Sequence, residues 1–326
     1  VRTFTKRLAM LAAAAVVALP VGAATAQSNY PAKPIYIVSS FPPGSISDTL
    51  SRVVGEKMGR DLGQSVVVEN KPGANGAVGA IYVARAKPDG YTLLMGTNSI
   101  NAINPSLFKQ LNYAPEKDFA PIGMVAEIPA VLVARKGYAS GDLAATLADA
   151  RKRGATMSIA TGTATAQVAA AMLGKKAGVK VLNVPYRGEP LGLTDLLGGQ
   201  VDLMILNLPV AYSYIKNGQI KGLAILADKR APALPDLPSI SESLPGFSIP
   251  TGWNALFAPA GTPPAIVQKL AASLAQALKQ DDVRKQIEAA PGTMVSFLAP
   301  DALTARVEAD TRQWAEMIRA AGIEPQ

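Results

Sequence analysis

The sequence contains no cysteine and no histidine. The first absence removes disulfides, thiolate nucleophiles, iron–sulfur clusters and zinc–thiolate sites. The second removes an imidazole general base, Ser–His–Asp triads and ordinary zinc or haem ligation. An enzyme made from this chain would have to work with carboxylates, Lys, Tyr or Ser–Lys pairs. Aromatic residues are sparse, at 6%, and the basic residues are scattered, with Arg151-Lys152-Arg153 the one run of three. A net charge of +8 without basic and aromatic residues interleaved gives no nucleic-acid surface. That run also falls at the end of a predicted helix, where cations suit the helix dipole. No metal-ligand cluster and no cofactor signature stands out. Gly73-x-x-Gly76-x-x-Gly79 has the wrong first spacing for a dinucleotide loop, and there is no Walker A sequence. Beyond residue 26, no apolar run is long enough to span a bilayer.

What the sequence does hold is a large apolar fraction, 49% of 326 residues, with 28 Gly and 25 Pro. That suits one large α/β domain or two of ordinary size. At the start, Arg2, Lys6 and Arg7 precede the apolar run Leu8 to Ala24, and Ala24-Thr25-Ala26 follows the small-x-small rule. This reads as a signal peptide over residues 1–26, cleaved after Ala26 and sending the chain to the periplasm. With no Cys behind it, a lipid anchor is excluded.

Strand, glycine-rich turn and helix then alternate. Ile35 to Ser40 reads as a buried strand, and Leu50, Val53, Val54, Met58 and Leu62 recur at helical spacing. A strand at Ser65 to Glu69, a helix at Ala77 to Ala86 and a strand at Tyr91 to Met95 complete a βαβαβ unit. A second such unit runs from the strand Met157–Thr161 through the helix Ala164–Lys176 and the strand Val181–Val184. It continues with a short helix Leu191–Leu197 and a strand Val201–Leu206. Parallel sheets with right-handed crossovers are expected in both. Ile122 to Ala134 and Gly222 to Leu226 read as segments crossing between the units. A strand at Trp253 to Ala258 and helices at Pro264 to Leu278 and Asp301 to Ala321 return to the first. The expected fold is α/β, two lobes around a cleft joined by two crossings. Lobe 1 takes residues 27–123 and 229–326, and lobe 2 takes 124–228.

Several stretches in one order carry a resemblance. They include Tyr30-Pro-x-Lys-Pro-Ile35, Phe41-x-Pro43-Gly44 with Asp48, Val66-Val-Val-Glu-Asn-Lys-Pro-Gly73 and Ala86-Lys-Pro-Asp-Gly-Tyr-Thr-Leu-Leu94. Further on come Val184-Pro-Tyr-Arg-Gly188, Asp195-Leu-Leu-x-Gly-Gln-Val-Asp202 and Phe257-Ala-Pro-Ala-Gly-Thr-Pro263. The chain resembles the solute-binding proteins of tripartite tricarboxylate transporters, the Bug receptor family. The resemblance implies a periplasmic-binding-protein fold of type II and a monomeric receptor without cofactor or metal. Its ligand would be a small carboxylate-bearing molecule, delivered to a two-subunit membrane permease.

The residues themselves point to a site at the strand-to-helix turns. A helix N-terminus presents free N–H groups and the positive end of the dipole, and holds a carboxylate without Arg. In the first unit the candidates are Phe41, Gly44, Ser45, Ser47 and Asp48, with Thr97 and Asn98 at the end of the third strand. In the second they are Thr161, Gly162, Thr163 and Thr165, with Tyr186 and Asp202. Ser45-x-x-Asp48 equally fits plain helix capping, Thr161 to Thr165 a solvated cap, and Thr97, Asn98 and Asp202 ordinary turn chemistry. Ser45 stands where the family usually has a second Gly. Ala164, Thr165 and Val168 replace a Gly-x-Gly-Ser loop followed by His. A membrane-coupled sensor is the alternative function. A Ser–Lys hydrolase using Ser106-x-x-Lys109 or Ser213-x-x-Lys216 is a remote one, since its partner motifs are missing.

Overall fold

The first β-strand, β1 (Ile35–Ser39), buries Ile35, Ile37 and Val38. The chain then turns through Phe41 to Gly44 into helix α1 (Ile46–Leu62), whose Leu50, Val54 and Met58 form the buried stripe expected at a period near four. Strand β2 (Val66–Asn70), helix α2 (Ala77–Ala84) and strand β3 (Thr92–Thr97) follow. β1 pairs in parallel with both, Ile37 opposite Val68 and Leu93. A wide π turn (Ser99–Ile103) leads through short helices α3 (Asn104–Leu107) and α4 (Pro115–Asp118) to strand β4 (Phe119–Ile128). The computed structural model describes residues 30–138 and 141–325. The predicted signal segment and its cleavage position lie outside the described residues.

Pro129 alone separates β4 from β5 (Ala130–Arg135), and the two strands belong to different sheets. The second sheet is built from β5, helix α5 (Leu143–Arg153), strand β6 (Thr156–Thr161), helix α6 (Ala164–Ala177) and strand β7 (Lys180–Pro185). Helix α7 (Glu189–Leu197), strand β8 (Leu203–Asn207), helix α8 (Leu208–Lys216) and strand β9 (Ile220–Ile225) complete it, in the order β7-β6-β8-β5-β9. The segment after β9 carries helix α9 (Ile240–Ser243) and packs Ile240, Phe247 and Ile249 into the same core as Leu223 and Leu226. The chain then re-enters the first sheet as β10 (Gly252–Pro259) and adds helices α10 (Pro264–Leu278) and α11 (Asp281–Glu288). The edge strand β11 (Met294–Val295) and helix α12 (Pro300–Ala321) follow. The first sheet is ordered β11-β4-β10-β3-β1-β2. From Pro31 on, both sheets belong to one compact unit.

Two features differ from the expected fold. The βαβαβ cores are parallel, but the sheets are mixed, because β10 lies antiparallel between β3 and β4, and β5 lies antiparallel to β8 and β9. The first crossing is itself strand, β4 running through Pro129 into β5, which satisfies backbone groups that a plain linker would leave unpaired. Gly222 to Leu226 is not a crossing: it belongs to β9 and its end, and residues 229–249 stay with the second sheet, so the chain changes sheets at Pro129 and near Pro250 rather than at 123/124 and 228/229. The last helix does return to the first sheet, where Leu303 joins the core around Trp253 and Phe257. At 22 residues it is about 33 Å long. It continues past that core to pack Trp314 and Ile318 beside Leu173 and Ala177 of α6.

A buried polar chain fixes α12 to the sheet. Trp253 Nε1 donates to Asp310 Oδ2 at 2.6 Å, Arg306 Nε donates to Asp310 Oδ1 at 3.0 Å, and Arg306 Nη1 reaches Glu127 Oε1 at 2.8 Å. Removing the carboxylate strands a buried indole N–H and leaves the half-buried Arg306 guanidinium with Glu127 alone. We expect Asp310→Ala to lower the unfolding free energy by about 3 kcal/mol in urea titrations. Asp310→Asn, which keeps an acceptor for Trp253, should lose less. Equal losses from both variants would assign the effect to packing instead.

Candidate functional site

The C-terminal ends of β1, β3, β6 and β8 open onto one cleft between the sheets, where open α/β sheets take their ligands. Phe41, Ser45, Ile46 and Ser47 of the first turn line it, with Thr97 at the end of β3 and Asn98 and Ser99 just beyond it. Thr163, Thr165, Glu189 and Asn207 line it from the second sheet, and Trp253, Asn254 and the crossing residues Ile128 and Ala130 close its back. The enclosed volume is about 30 Å³, within about 510 Å³ of empty space that runs out to solvent. Enclosed space of that size holds roughly two waters, so an organic acid enters only if the walls part.

The walls touch directly. Asn98 Nδ2 donates to Thr165 Oγ1 at 2.8 Å, Asn75 Nδ2 donates to Gln167 Oε1 at 3.2 Å, and Ser99 Oγ lies 3.4 Å from Thr165 Oγ1. Gly188 packs so close to Pro42 that a Cβ there would lie 2.4 Å from the ring. The small enclosed volume therefore belongs to a closed arrangement of the two sheets.

Helix α1 starts at the cleft because Ser45 caps it, its Oγ accepting from Asp48 N at 3.3 Å. Gly44 takes a φ of +80°, which an L side chain adopts only with strain. Its N–H donates to Asp48 Oδ2 at 3.1 Å. Asp48 also accepts from Arg52 and Asn70, each at 2.9 Å. Burial raises its pKa, but the Arg52 and Asn70 hydrogen bonds and the Gly44 N–H outweigh burial and hold the carboxyl below its usual range. Gly44 and Asp48 thus set the turn and do not line the cavity. What the turn offers is the backbone N–H of Ile46 and of Ser47, which has no acceptor among the described residues. Ser47 Oγ accepts from Asn254 Nδ2 at 2.7 Å, tying the turn to β10.

Helix α6 repeats the design from the facing sheet. Thr163 caps it, Oγ1 accepting from Ala166 N at 3.2 Å, and the N–H groups of Ala164 and Thr165 have no acceptor among the described residues. Thr161 turns away to donate to Asn183 Oδ1 at 2.7 Å. Gly162 lies against the backbone of Glu189, whose nitrogen would be 2.5 Å from an added Cβ. Two sequence candidates fall elsewhere. Tyr186 donates to Asp195 Oδ2 at 2.7 Å, and burial together with that carboxylate pushes its phenol up to about 12. Asp202 precedes β8, at the rim opposite the cleft, where Arg135 Nε lies at 3.2 Å and Ser158 Oγ at 2.9 Å. Neither Ser–Lys pair lines the cavity, and Ser213 and Lys216 are exposed on α8.

Sequence reading missed Glu189 and Asn207. Among the described residues, Glu189 is the only ionisable one lining the cavity, and it is 3% exposed. Its Oε1 accepts from Asn207 N at 2.7 Å and its Oε2 from Asn207 Nδ2 at 3.2 Å. Burial without a cation pushes its carboxyl up to about 7, although both Asn207 bonds pull the other way. Asn207-x-Pro209 after a strand is a helix-start signal and marks the Asn. Nothing local marks the Glu as a cavity residue. The folded chain holds the Glu189 proton that the unfolded chain releases above the ordinary value of 4.5. Its contribution to stability is full below pH 4.5 and is lost as pH rises through 7, a swing of about 3 kcal/mol. Glu189→Gln removes that dependence. In urea titrations, the variant should gain on the parent between pH 5 and pH 8 by most of that swing. Parallel stability curves would show the carboxyl titrating normally.

The chain is similar to known proteins over most of its length. The family model of the tripartite tricarboxylate transporter receptor matches residues 50–323. The structure of the periplasmic binding protein BugD is 36% identical, with a TM-score of 0.85 covering 91% of this chain and 100% of that one. An R. palustris protein solved with adipate is 31% identical, with a TM-score of 0.87 over 91% of this chain and 100% of its own. MatC from Rhodopseudomonas palustris with bound malate is 33% identical, with a TM-score of 0.83 over 89% and 100%. The fold is that of the type II periplasmic binding proteins. The chain belongs to the tripartite tricarboxylate transporter receptor family, the periplasmic solute-binding proteins among which the Bug proteins stand.

Proposed function

We propose that this chain is an exported receptor that closes around a small organic carboxylate in the periplasm and hands it to a two-subunit membrane permease. The observation that carries the reading is the pairing of two helix N-termini, α1 and α6, across a cleft lined, among the described residues, by no Lys or Arg. Unsatisfied N–H groups at Ile46, Ser47, Ala164 and Thr165 are suited to carboxylate oxygens, directly or through water. The relatives solved with adipate and malate support the ligand class. In this reading the ligand site comprises Phe41, Ser45, Ser47, Thr97, Asn98, Thr163 and Thr165 from the sequence candidates, joined by Glu189, Asn207 and Asn254. The moving bodies divide at Pro129 and near Pro250, where the chain changes sheets. The receptor acts as a monomer after cleavage behind Ala26.

Ligand adds RT ln(1 + [L]/Kd) to stability, about 2.7 kcal/mol at a hundredfold excess over Kd. Thermal melts of residues 27–326 against C4 to C6 carboxylates should reveal binders, and none among them would sink the proposal. With a binder in hand, X-ray scattering should show a smaller radius of gyration than the ligand-free protein, as two parting lobes require. Ala164→Pro deletes one N–H at a helix position that tolerates proline and should weaken binding at least tenfold, ~1.4 kcal/mol. Arg187→Ala, at an exposed residue outside the cavity lining, should stay within threefold. The reverse ranking would mean that a salt bridge does the recognising.

A further inference from the structure

The carboxylate-receptor reading leaves one residue unused. A cleft that gathers helix N-termini has a carboxyl, Glu189, as the sole ionisable group among the described residues of its lining. The segments packed around it add no charge. Pro42 to Ser47, Gly162 to Gln167 and Asn207 to Ala211 contain no ionisable residue. The acids on the neighbouring elements are engaged, Asp48 with Arg52 and Asp195 with Tyr186. Asn207 fills one lone pair on each Glu189 oxygen and leaves the second free. We infer that Glu189 selects the ligand: the cleft takes a carboxylate whose far end is a hydrogen-bond donor, an ammonium or an amide, in preference to a second carboxylate. This inference rests on the carboxylate-receptor reading and adds the chemistry of the ligand's other end.

The physical reason is a difference in pairing. A donor placed against Glu189 completes the acceptor capacity of a buried carboxylate, and an ammonium also supplies the missing countercharge. A second ligand carboxylate placed there meets a like charge in a site too dry to screen it, and binds only when Glu189 takes up a proton. Because burial pushes the Glu189 carboxyl up to about 7, that protonated state is available at pH 6 and scarce at pH 8. Discrimination therefore grows with pH.

The test is calorimetry on residues 27–326 at pH 6 and pH 8 with length-matched sets: succinate, glutarate and adipate against their half-amides and ω-amino acids. At pH 8 the best half-amide or ω-amino acid should bind at least tenfold tighter than its dicarboxylate, and dicarboxylate affinity should rise severalfold at pH 6. Glu189→Gln, which can keep an acceptor for Asn207 N, should raise dicarboxylate affinity at least tenfold at pH 8, weaken the ω-amino acids and abolish the pH dependence. A residue that merely braces Asn207 would move both ligand sets together and leave their ratio unchanged. Dicarboxylates binding the parent protein at pH 8 as tightly as the donor-bearing set, with the ratio unmoved in Glu189→Gln, would overturn the inference and leave the receptor reading standing. Failure of every member of both sets would overturn both.

Discussion

Parallel pairing is the constraint from which the site follows. When strands run in the same direction, every crossover helix must begin at the same rim, and each beginning carries N–H groups with no partner in the chain. β1, β6 and β7 deliver α1, α6 and α7 to the cleft in this way. Serine and threonine caps satisfy one N–H per helix, at Asp48 and at Ala166, and leave the first two available. The helix ends therefore supply a fixed positive potential without a basic side chain, set against the Glu189 carboxyl in the same lining, and at little entropic cost, because the donors are fixed by the helices themselves.

That fixed potential also explains why the surrounding side chains are so thoroughly occupied. Asp48 is held by Gly44, Arg52 and Asn70, so its charge is neutralised locally and does not oppose an incoming anion. Asn254 holds Ser47, and Asn98 holds Thr165 across the gap. The Asn98–Thr165 contact, which joins opposite walls, competes with ligand. Binding must replace the Asn98–Thr165 bond or fit beside it, and the balance between that bond and the ligand's own sets how far the cleft stays shut when empty.

The order of elements was legible because hydrophobic spacing and glycine turns are local signals. The helix with Leu50, Val54 and Met58 and the Ala-rich helix from Ala164 both appear where their patterns place them. Pairing between distant segments was not legible: nothing in Trp253 to Ala258 says that it inserts antiparallel between β3 and β4. At the site, the cap residues could be read from the turns they begin. Asp202 misled because an acid next to a strand looks the same at either rim, and here it marks the start of β8. Tyr186 misled because its partner, Asp195, lies on the following helix and draws the ring away from the cleft. Glu189 was invisible because its surroundings are made by Gly162 and Asn207, with Pro42 packed on the adjoining Gly188, and these come from three other parts of the chain.

Helix α12 bears on how the chain comes to be folded. Leu303 completes the core of the first sheet and Trp314 that of the second. Both sit on one helix, so a single element contributes to the two cores. Docking α12 seals both in one step, and prying it loose would open both together.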